Sequence, residues 1–332
     1  RAPRAPIPPI FGGKAILGFH LPGSYQDILN IETCLIQPEP FDGLLDEMRR
    51  FAREHDLSSH NPKTHRGLLR HFLIRCAEKP GVDGTQPILA VLVTSGPDLP
   101  RRDELLARLR EQCPSLAGFI HGVNRAMSDV FRIEQTCFSW GADHLVEGVG
   151  PLQLKISPLS FFQTNTPGAE ILYGKAKEYL SLTGREALFD AYCGAGAIGL
   201  FCADRAGSVY GIELLREAIW DARHNAAMNG ITNSLFMAGE MRSTLPILLG
   251  RVTGGFQRVV VDPPRTGMDK KSLRQIAHIG APVAVYVSCN PATMARDVQF
   301  FHEAGYTLTE VQPVDMFPHT YHVEAVGKMV KG

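Results

Sequence analysis

FDAYCGAGAIG, residues 189–199, is the stretch on which the fold turns. A short apolar run closes on Asp190, and Gly194, Gly196 and Gly199 follow at the GxGxxG spacing. Glycines so placed let the backbone turn tightly and pass close to a ligand before a helix begins. Alone, that spacing is a weak signal. Working outward, valine-rich runs recur at 187–189, 209–212, 259–261 and 283–287, separated by helical stretches such as 218–228 and 273–279. Short, uniformly apolar runs are what parallel strands look like when helices cover both faces of their sheet. A Rossmann-like, doubly wound α/β domain is therefore expected over residues 156–332, after a smaller α+β domain over residues 1–155.

In such a sheet, ligands bind beyond the carboxyl ends of the strands. The runs close, in chain order, on Asp190, Glu213, Asp262 and Cys289, so three acids and a thiol should face one crevice. Gly194 marks the turn nearest the ligand, and Glu213 is placed to accept hydrogen bonds from both hydroxyls of a ribose. A nicotinamide dinucleotide and S-adenosylmethionine satisfy these two ends equally well. The other two ends separate them. VVVDPPRTGM (259–268) puts two prolines after Asp262, each fixing its own φ and stiffening the loop, and VYVSCNPATMARD (285–297) puts Cys289 at a strand end just ahead of Pro291. A lone cysteine is usually a small buried hydrophobe, which is the reading for Cys34, Cys76, Cys113, Cys137 and Cys202. Cys193, within the glycine turn, should line the cofactor pocket.

The first 155 residues read as mixed structure. A strand is expected near 28–31 and a helix over 41–55, with Leu44, Leu45, Met48 and Phe51 on one face. Strands follow at 69–75 and 88–94, then a helix over 102–111. Within HRGLLRHFLIR, residues 65–75, the residues Arg66, Arg70, His71 and Arg75 punctuate the apolar ones. They suggest a strand with a solvated basic face, and a first candidate for phosphate contact.

Composition narrows the partners. Lys plus Arg equals Asp plus Glu at 34 each, so any RNA contact must come from a local patch rather than the field of the whole molecule. The seven cysteines include no CxxC pair, which argues against a disulfide framework or a compact metal site and for reduced thiols in the cytoplasm. No apolar run approaches the roughly 20 residues that span a bilayer, and the opening RAPRAPIPPIFGGK is unlike a signal peptide.

Taken together, five segments resemble the RNA 5-methyluridine methyltransferase family, the uracil-5 enzymes of tRNA and 23S ribosomal RNA. They are SFFQTNTPGAEILY, FDAYCGAGAIGLF, VVVDPPRTGM, VSCNPATMARDV and VDMFPHTYHVEAV, in that order, and the likeness extends back to GFHLPGSYQDILNIETC near the start. The resemblance implies a class I methyltransferase fold, S-adenosyl-L-methionine as cofactor, no metal, an RNA substrate (23S rRNA first, tRNA next), no membrane and a monomer. It makes Cys289 the nucleophile and Glu324 the general base, with Gln163, Tyr192, Glu213 and Asp262 holding the cofactor. Members that carry an N-terminal β-barrel RNA-binding module, or a four-cysteine iron–sulfur site, show patterns absent from this sequence, as expected of a fragment or of a version without that module.

The chemistry explains the residue types. Carbon 5 of uracil is a poor nucleophile until a thiolate adds to carbon 6 and turns the ring into an enolate. Free cysteine, with a pKa of about 8.5, is only a few per cent thiolate at neutral pH, so a nearby positive charge is needed. The cofactor sulfonium would supply part of it, and Asp262 would oppose it. A base must then take the proton from carbon 5, and Glu324 follows Met316, Phe317, Pro318, Tyr321 and Val323, which could exclude water and raise its pKa. His319 and His322 lack a third ligand in sequence and are expected to be pocket or RNA contacts. A buried thiol also requires a flipped or unpaired uridine. Three other readings compete: an adenine amino-methyltransferase, which would need an aromatic residue where Arg265 stands and no cysteine; a non-catalytic RNA-binding module, which would have no use for Cys289 and Glu324; and a nicotinamide enzyme, which leaves DPPR and SCNP unexplained.

Overall fold

The computed structural model describes residues 4–6, 17–21, 28–61, 64–78, 84–128 and 130–332. Residues 22–27 of the first motif segment, and most of the proline-rich start, lie outside them. The chain forms two compact units, Arg1–Glu147 with Ser157–Leu159, and Gly148–Ile156 with Ser160–Gly332.

The first unit contains β1 (Arg4–Pro6), β2 (Gly18–His20), β3 (Ile28–Asn30), α1 (Pro40–Glu54), β4 (Leu69–Cys76), β5 (Ile88–Thr94), α2 (Arg102–Gln112), β6 (Leu116–Val123) and β7 (Gln135–Gly141). Five strands form one sheet in the order β1-β4-β5-β6-β7, in which only β5 and β6 run parallel. The apolar face of α1 closes on Leu69, Phe72, Ile74 and Leu92, while Leu73, Leu89, Val91 and Val93 face the other side with Ile120 and Phe131. Being covered on both faces, β5 reads as an unbroken apolar run.

Two expectations fail here. The basic face of β4 is not solvated, for Arg70 and His71 are 2% and 4% exposed. Arg70 turns inward and donates to the carbonyls of Asn124 (2.7 Å), Ala126 (2.8 Å) and Ser128 (2.9 Å), so its charge is spent on a loop of its own unit. Of Arg66, Arg70, His71 and Arg75, only Arg66, outside the strand, is exposed. Of the five cysteines read as small buried hydrophobes, Cys113 and Cys202 are buried, while Cys34, Cys76 and Cys137 are half-exposed.

From β8 (Leu145–Val149) the chain passes into the second unit: β9 (Leu152–Ile156), α3 (Thr166–Leu180), β10 (Ala187–Ala191), α4 (Ala197–Cys202), β11 (Ser208–Glu213), α5 (Arg216–Met228), β12 (Ser234–Ala238), α6 (Met241–Leu249), β13 (Arg258–Val261), α7 (Lys270–Ile279), β14 (Val283–Ser288), α8 (Pro291–Glu303), β15 (Tyr306–Val314) and β16 (Glu324–Lys331). The chain first enters this unit at Gly148, ahead of the expected boundary after residue 155, and returns to the first for Ser157–Leu159; Val149, Leu152 and Leu154 pack with Leu172 and Tyr173. Asn225 of α5 and its C-cap Asn229 also accept from the amides of Lys155 and Gln153 respectively.

Seven strands form the second sheet in the order β12-β11-β10-β13-β14-β16-β15. The first five are parallel, and β16 runs antiparallel between β14 and β15. Successive residues alternate between two cores, as strand geometry requires. Leu188, Val209, Val260, Val285 and Val287 face α3, α4 and α5, while Phe189, Val259, Val261, Ala284 and Tyr286 face α6, α7 and α8. The doubly wound sheet is thus as expected, with an antiparallel pair at one edge that the strand–helix rhythm did not reveal.

Candidate active site

Register brings the strand ends into line. Ala191 pairs with Ile212 on one side and with Val261 on the other, and Val261 pairs in turn with Tyr286. Asp190 and Glu213 belong to the strands themselves, whereas Asp262 and Cys289 follow directly after theirs. Across β14 and β16 the last pair is Ser288 with Ala325, so the next step of that antiparallel register sets Cys289 opposite Glu324. Residues far apart in sequence thereby meet because the chain leaves the sheet after β14 and returns through the edge strand β15 to β16, which lies beside β14.

The glycine turn is held from two sides. The Gly199 amide donates to Asp190 Oδ2 at 2.8 Å, and a Cβ on Gly199 would stand 2.8 Å from the same oxygen, so the helix approaches the strand as only glycine permits. Glu213 accepts from the Gly194 amide (3.3 Å) and the Leu215 amide (3.0 Å). Tyr192 takes a left-handed backbone, φ 63°, which is costly for a bulky residue and typical of sites where geometry serves a ligand. Cys193 is buried behind this turn, where burial, with Asp190 and Glu213, pushes its thiol well above the usual range. Its surroundings are acidic.

The carboxyls behave unlike surface acids. Asp190 is 1% exposed, its Oδ1 has no partner among the described residues, and burial lifts its pKa to about 7 against the pull of the Gly199 amide. The Asp262 pKa is raised well above the carboxylate range by burial of its carboxyl and by Glu324 and Asp190. Glu324 is 3% exposed and rises to about 7, mainly through burial, with Arg265 opposing. Its enclosure owes less than expected to the segment before it: Pro318 and Tyr321 are exposed, and the buried position comes from standing at the head of β16 between two strands.

Cys289 is half-buried. Burial first, then Glu324 and Asp262, raise its pKa, and Arg265 lowers it. Gln163 is buried, two residues before Asn165, which caps α3 by accepting from Gly168 N–H and donates to the Met316 carbonyl at 3.1 Å. That bond ties SFFQTN to the segment leading to Glu324. His322 accepts from Arg265 at its Nδ1, 3.1 Å, whereas His319 is exposed with φ 66°. Among the described residues there is no cluster of three or more metal-ligating side chains. No helix among them is long and apolar enough to cross a membrane. Sequence reasoning placed Asp190 at the crevice without giving it a role, and passed over Tyr173 and Arg265 as site residues. The buried Tyr173 phenol is raised by burial and by Asp262, Asp190 and Glu324, which places it beside the same carboxyls. Its signal in the sequence was only an aromatic residue on a helical face, which nothing local distinguishes from core.

A parallel sheet with a glycine turn after one strand, an acid ending the next, and a thiol facing a buried acid defines a class I S-adenosylmethionine-dependent methyltransferase. Comparison with known proteins narrows the class. The model of the tRNA (uracil-5-)-methyltransferase family matches residues 151–331. Uncharacterized RNA methyltransferases of Clostridium tetani and Bacillus cereus are each 39% identical to the chain over 95% of its length and 67% of theirs. The crystal structure of the Pyrococcus abyssi tRNA (uracil-54, C5)-methyltransferase, solved with S-adenosyl-L-homocysteine, superposes with a TM-score of 0.76 at 30% identity, over 98% of this chain and 75% of that one. The chain belongs to the tRNA (uracil-5-)-methyltransferase family and is an S-adenosylmethionine-dependent RNA uracil-5 methyltransferase.

Proposed function

We propose that this enzyme methylates carbon 5 of a uridine in ribosomal or transfer RNA through a covalent bond between Cys289 and carbon 6. The observation that carries the proposal is the register of β14 and β16, which sets a half-buried thiol against a buried glutamate. In the proposed sequence the Cys289 thiolate bonds to carbon 6, and the electron pair of the carbon 5–carbon 6 double bond moves into the ring as an enolate. Carbon 5 then accepts the methyl. Glu324 takes the carbon 5 proton, the double bond re-forms, and the sulfur–carbon bond breaks to release the thiolate. A carboxyl with a pKa of about 7 suits this task, since it is substantially ionised near neutrality and a stronger base than a surface carboxylate.

The residues fit S-adenosylmethionine, which when bound supplies an electrophilic methyl on a sulfonium. Each Glu213 oxygen accepts one backbone amide and retains lone-pair capacity for ribose hydroxyls. The unpartnered Oδ1 of Asp190, buried at the glycine turn, suits a cationic donor. Gly194 and Tyr192 shape the turn, and Asp262 and Gln163 complete the cofactor side. The first unit we assign to RNA handling, with Arg66 the exposed member of its basic segment.

The test separates the two catalytic residues by step. Cys289→Ala should abolish turnover and form no adduct with RNA. Glu324→Gln should also stop turnover, yet accumulate protein joined to methylated RNA that survives denaturing electrophoresis. An adduct in the Cys289 variant, or none in the Glu324 variant and none between the wild type and 5-fluorouridine RNA, would refute the covalent reading. Mass mapping of 5-methyluridine in 23S rRNA and tRNA, from cells with and without the gene, assigns the RNA.

A further inference from the structure

Cys289 faces an electrostatic difficulty that the carboxyls create. Glu324 and Asp262 both oppose its thiolate, and the charge acting the other way is that of Arg265, in the loop after β13. That loop is braced against the helix that starts just past the nucleophile. The Arg265 carbonyl accepts from Asn290 Nδ2 and from Thr293 Oγ1, both at 3.3 Å, and Asn290 is the N-cap of α8. One turn on, Arg296 Nη2 donates to the carbonyls of Thr266 (3.0 Å) and Met268 (3.3 Å). Asp297, wholly buried, accepts from the Met268 amide at 2.8 Å and from the Tyr286 hydroxyl at 2.7 Å. Gly267, at φ 76°, leaves room for this approach: a Cβ there would lie 2.7 Å from Asp297 Oδ2. Loop and nucleophile segment are therefore tied together at several points.

The guanidinium itself is held differently. Among the described residues it makes no ion pair, and its partner is the His322 ring, two positions before Glu324. Arginine has only donors, so Nδ1 of His322 must present a lone pair, and the ring is neutral. Burial and the adjacent Arg265 push the His322 pKa down, which keeps it so, and Tyr321 and Phe317 flank the ring at centroid distances of 4.2 and 6.3 Å. A carboxylate in that place would neutralise the arginine. A neutral imidazole orients it and leaves its charge available.

We propose that Arg265 is the cation that holds the Cys289 thiolate and that His322 is the residue that positions it. The proposal rests on Cys289 being the nucleophile, but its test does not depend on methylation. The rate of alkylation of Cys289 by iodoacetamide, followed by mass spectrometry of its peptide in the full chain without RNA, is measured against pH. The charged groups that set the midpoint are Glu324, Asp262 and Arg265. Arg265→Gln should raise the midpoint by about one unit and slow alkylation at neutral pH about tenfold, whereas Arg265→Lys should retain most of the wild-type rate. His322→Ala should move the midpoint part of the way, and His322→Gln, whose amide oxygen can accept the same bond, should restore it. An unchanged midpoint in Arg265→Gln overturns the proposal; if methylation nevertheless falls, Arg265 is an RNA contact instead. A midpoint that His322→Ala leaves in place overturns the positioning role. Circular dichroism of each variant checks that the fold is intact.

Discussion

Replacing Glu324 by glutamine should make the second unit more stable at alkaline pH while destroying activity. The carboxyl rises from 4.5 to about 7 on folding, chiefly through burial. The native state therefore binds a proton more tightly than the unfolded chain, and stability must fall as pH rises between those two values. At pH below about 4.5 the burial carries no ionic penalty, and above about 7 it carries all of it. A shift of that size corresponds to about 3 kcal/mol, since each unit is about 1.4 kcal/mol. Glutamine keeps the shape and removes the charge, so Glu324→Gln should gain up to about 3 kcal/mol near pH 8.5 and little near pH 4.5. Urea unfolding can read this from Trp220 in a Trp140→Phe background, because the two tryptophans lie in different units. A variant no more stable than wild type at pH 8.5, or one whose gain persists unchanged at pH 4.5, would refute the account of Glu324 as a carboxyl strained by burial.

Three further variants probe other parts of the molecule. Glu213→Ala should weaken S-adenosylmethionine binding by about 1.5–3 kcal/mol in calorimetry, through loss of a charge-assisted acceptor, and NAD should not bind the wild type at all. Tight NAD binding would sink the cofactor assignment. Arg70→Ala should destabilise the first unit by about 3 kcal/mol or more, because a buried cation and its bonds to three carbonyls vanish together. Arg66→Gln should instead leave stability unchanged and flatten the salt dependence of RNA binding by roughly one unit of slope. The reverse pattern would restore Arg70 to the surface.

The legible features of this molecule are those in which local sequence and tertiary environment agree. Valine-rich runs ending in Asp190, Glu213, Asp262 and Cys289 carried both the fold and the floor of the site, because parallel strands are buried on both faces and ligands gather at their carboxyl ends. The misread features depend on partners that local pattern does not specify. Arg70 alternates with apolar neighbours just as a solvent-facing residue would, yet its guanidinium finds three carbonyls some 54 to 58 residues downstream. Asp297 carries no local signal of burial, yet it accepts from the Met268 amide and the Tyr286 hydroxyl. The strand pair β15 and β16 interrupts the strand–helix alternation from which the parallel sheet was inferred.

That same pair is what completes the site. In the proposed mechanism the five parallel strands supply a glycine turn, three acids (Asp190, Glu213 and Asp262) and a thiol, and the base for carbon 5 comes from elsewhere. Insertion of β16 between β14 and β15 brings a sixth end alongside, antiparallel, so that it is the start of the strand and not its finish that reaches the crevice. Glu324 is consequently buried from both sides by strands, and this is what lifts its pKa to about 7. The same proximity sets a carboxylate against the Cys289 thiolate. In the proposed mechanism, base strength and nucleophile ionisation therefore work against each other across one register pair. On the proposal for Arg265 and His322, an arginine fixed by a braced loop relieves this conflict: Arg265 lowers the Cys289 pKa while Glu324 keeps a raised one.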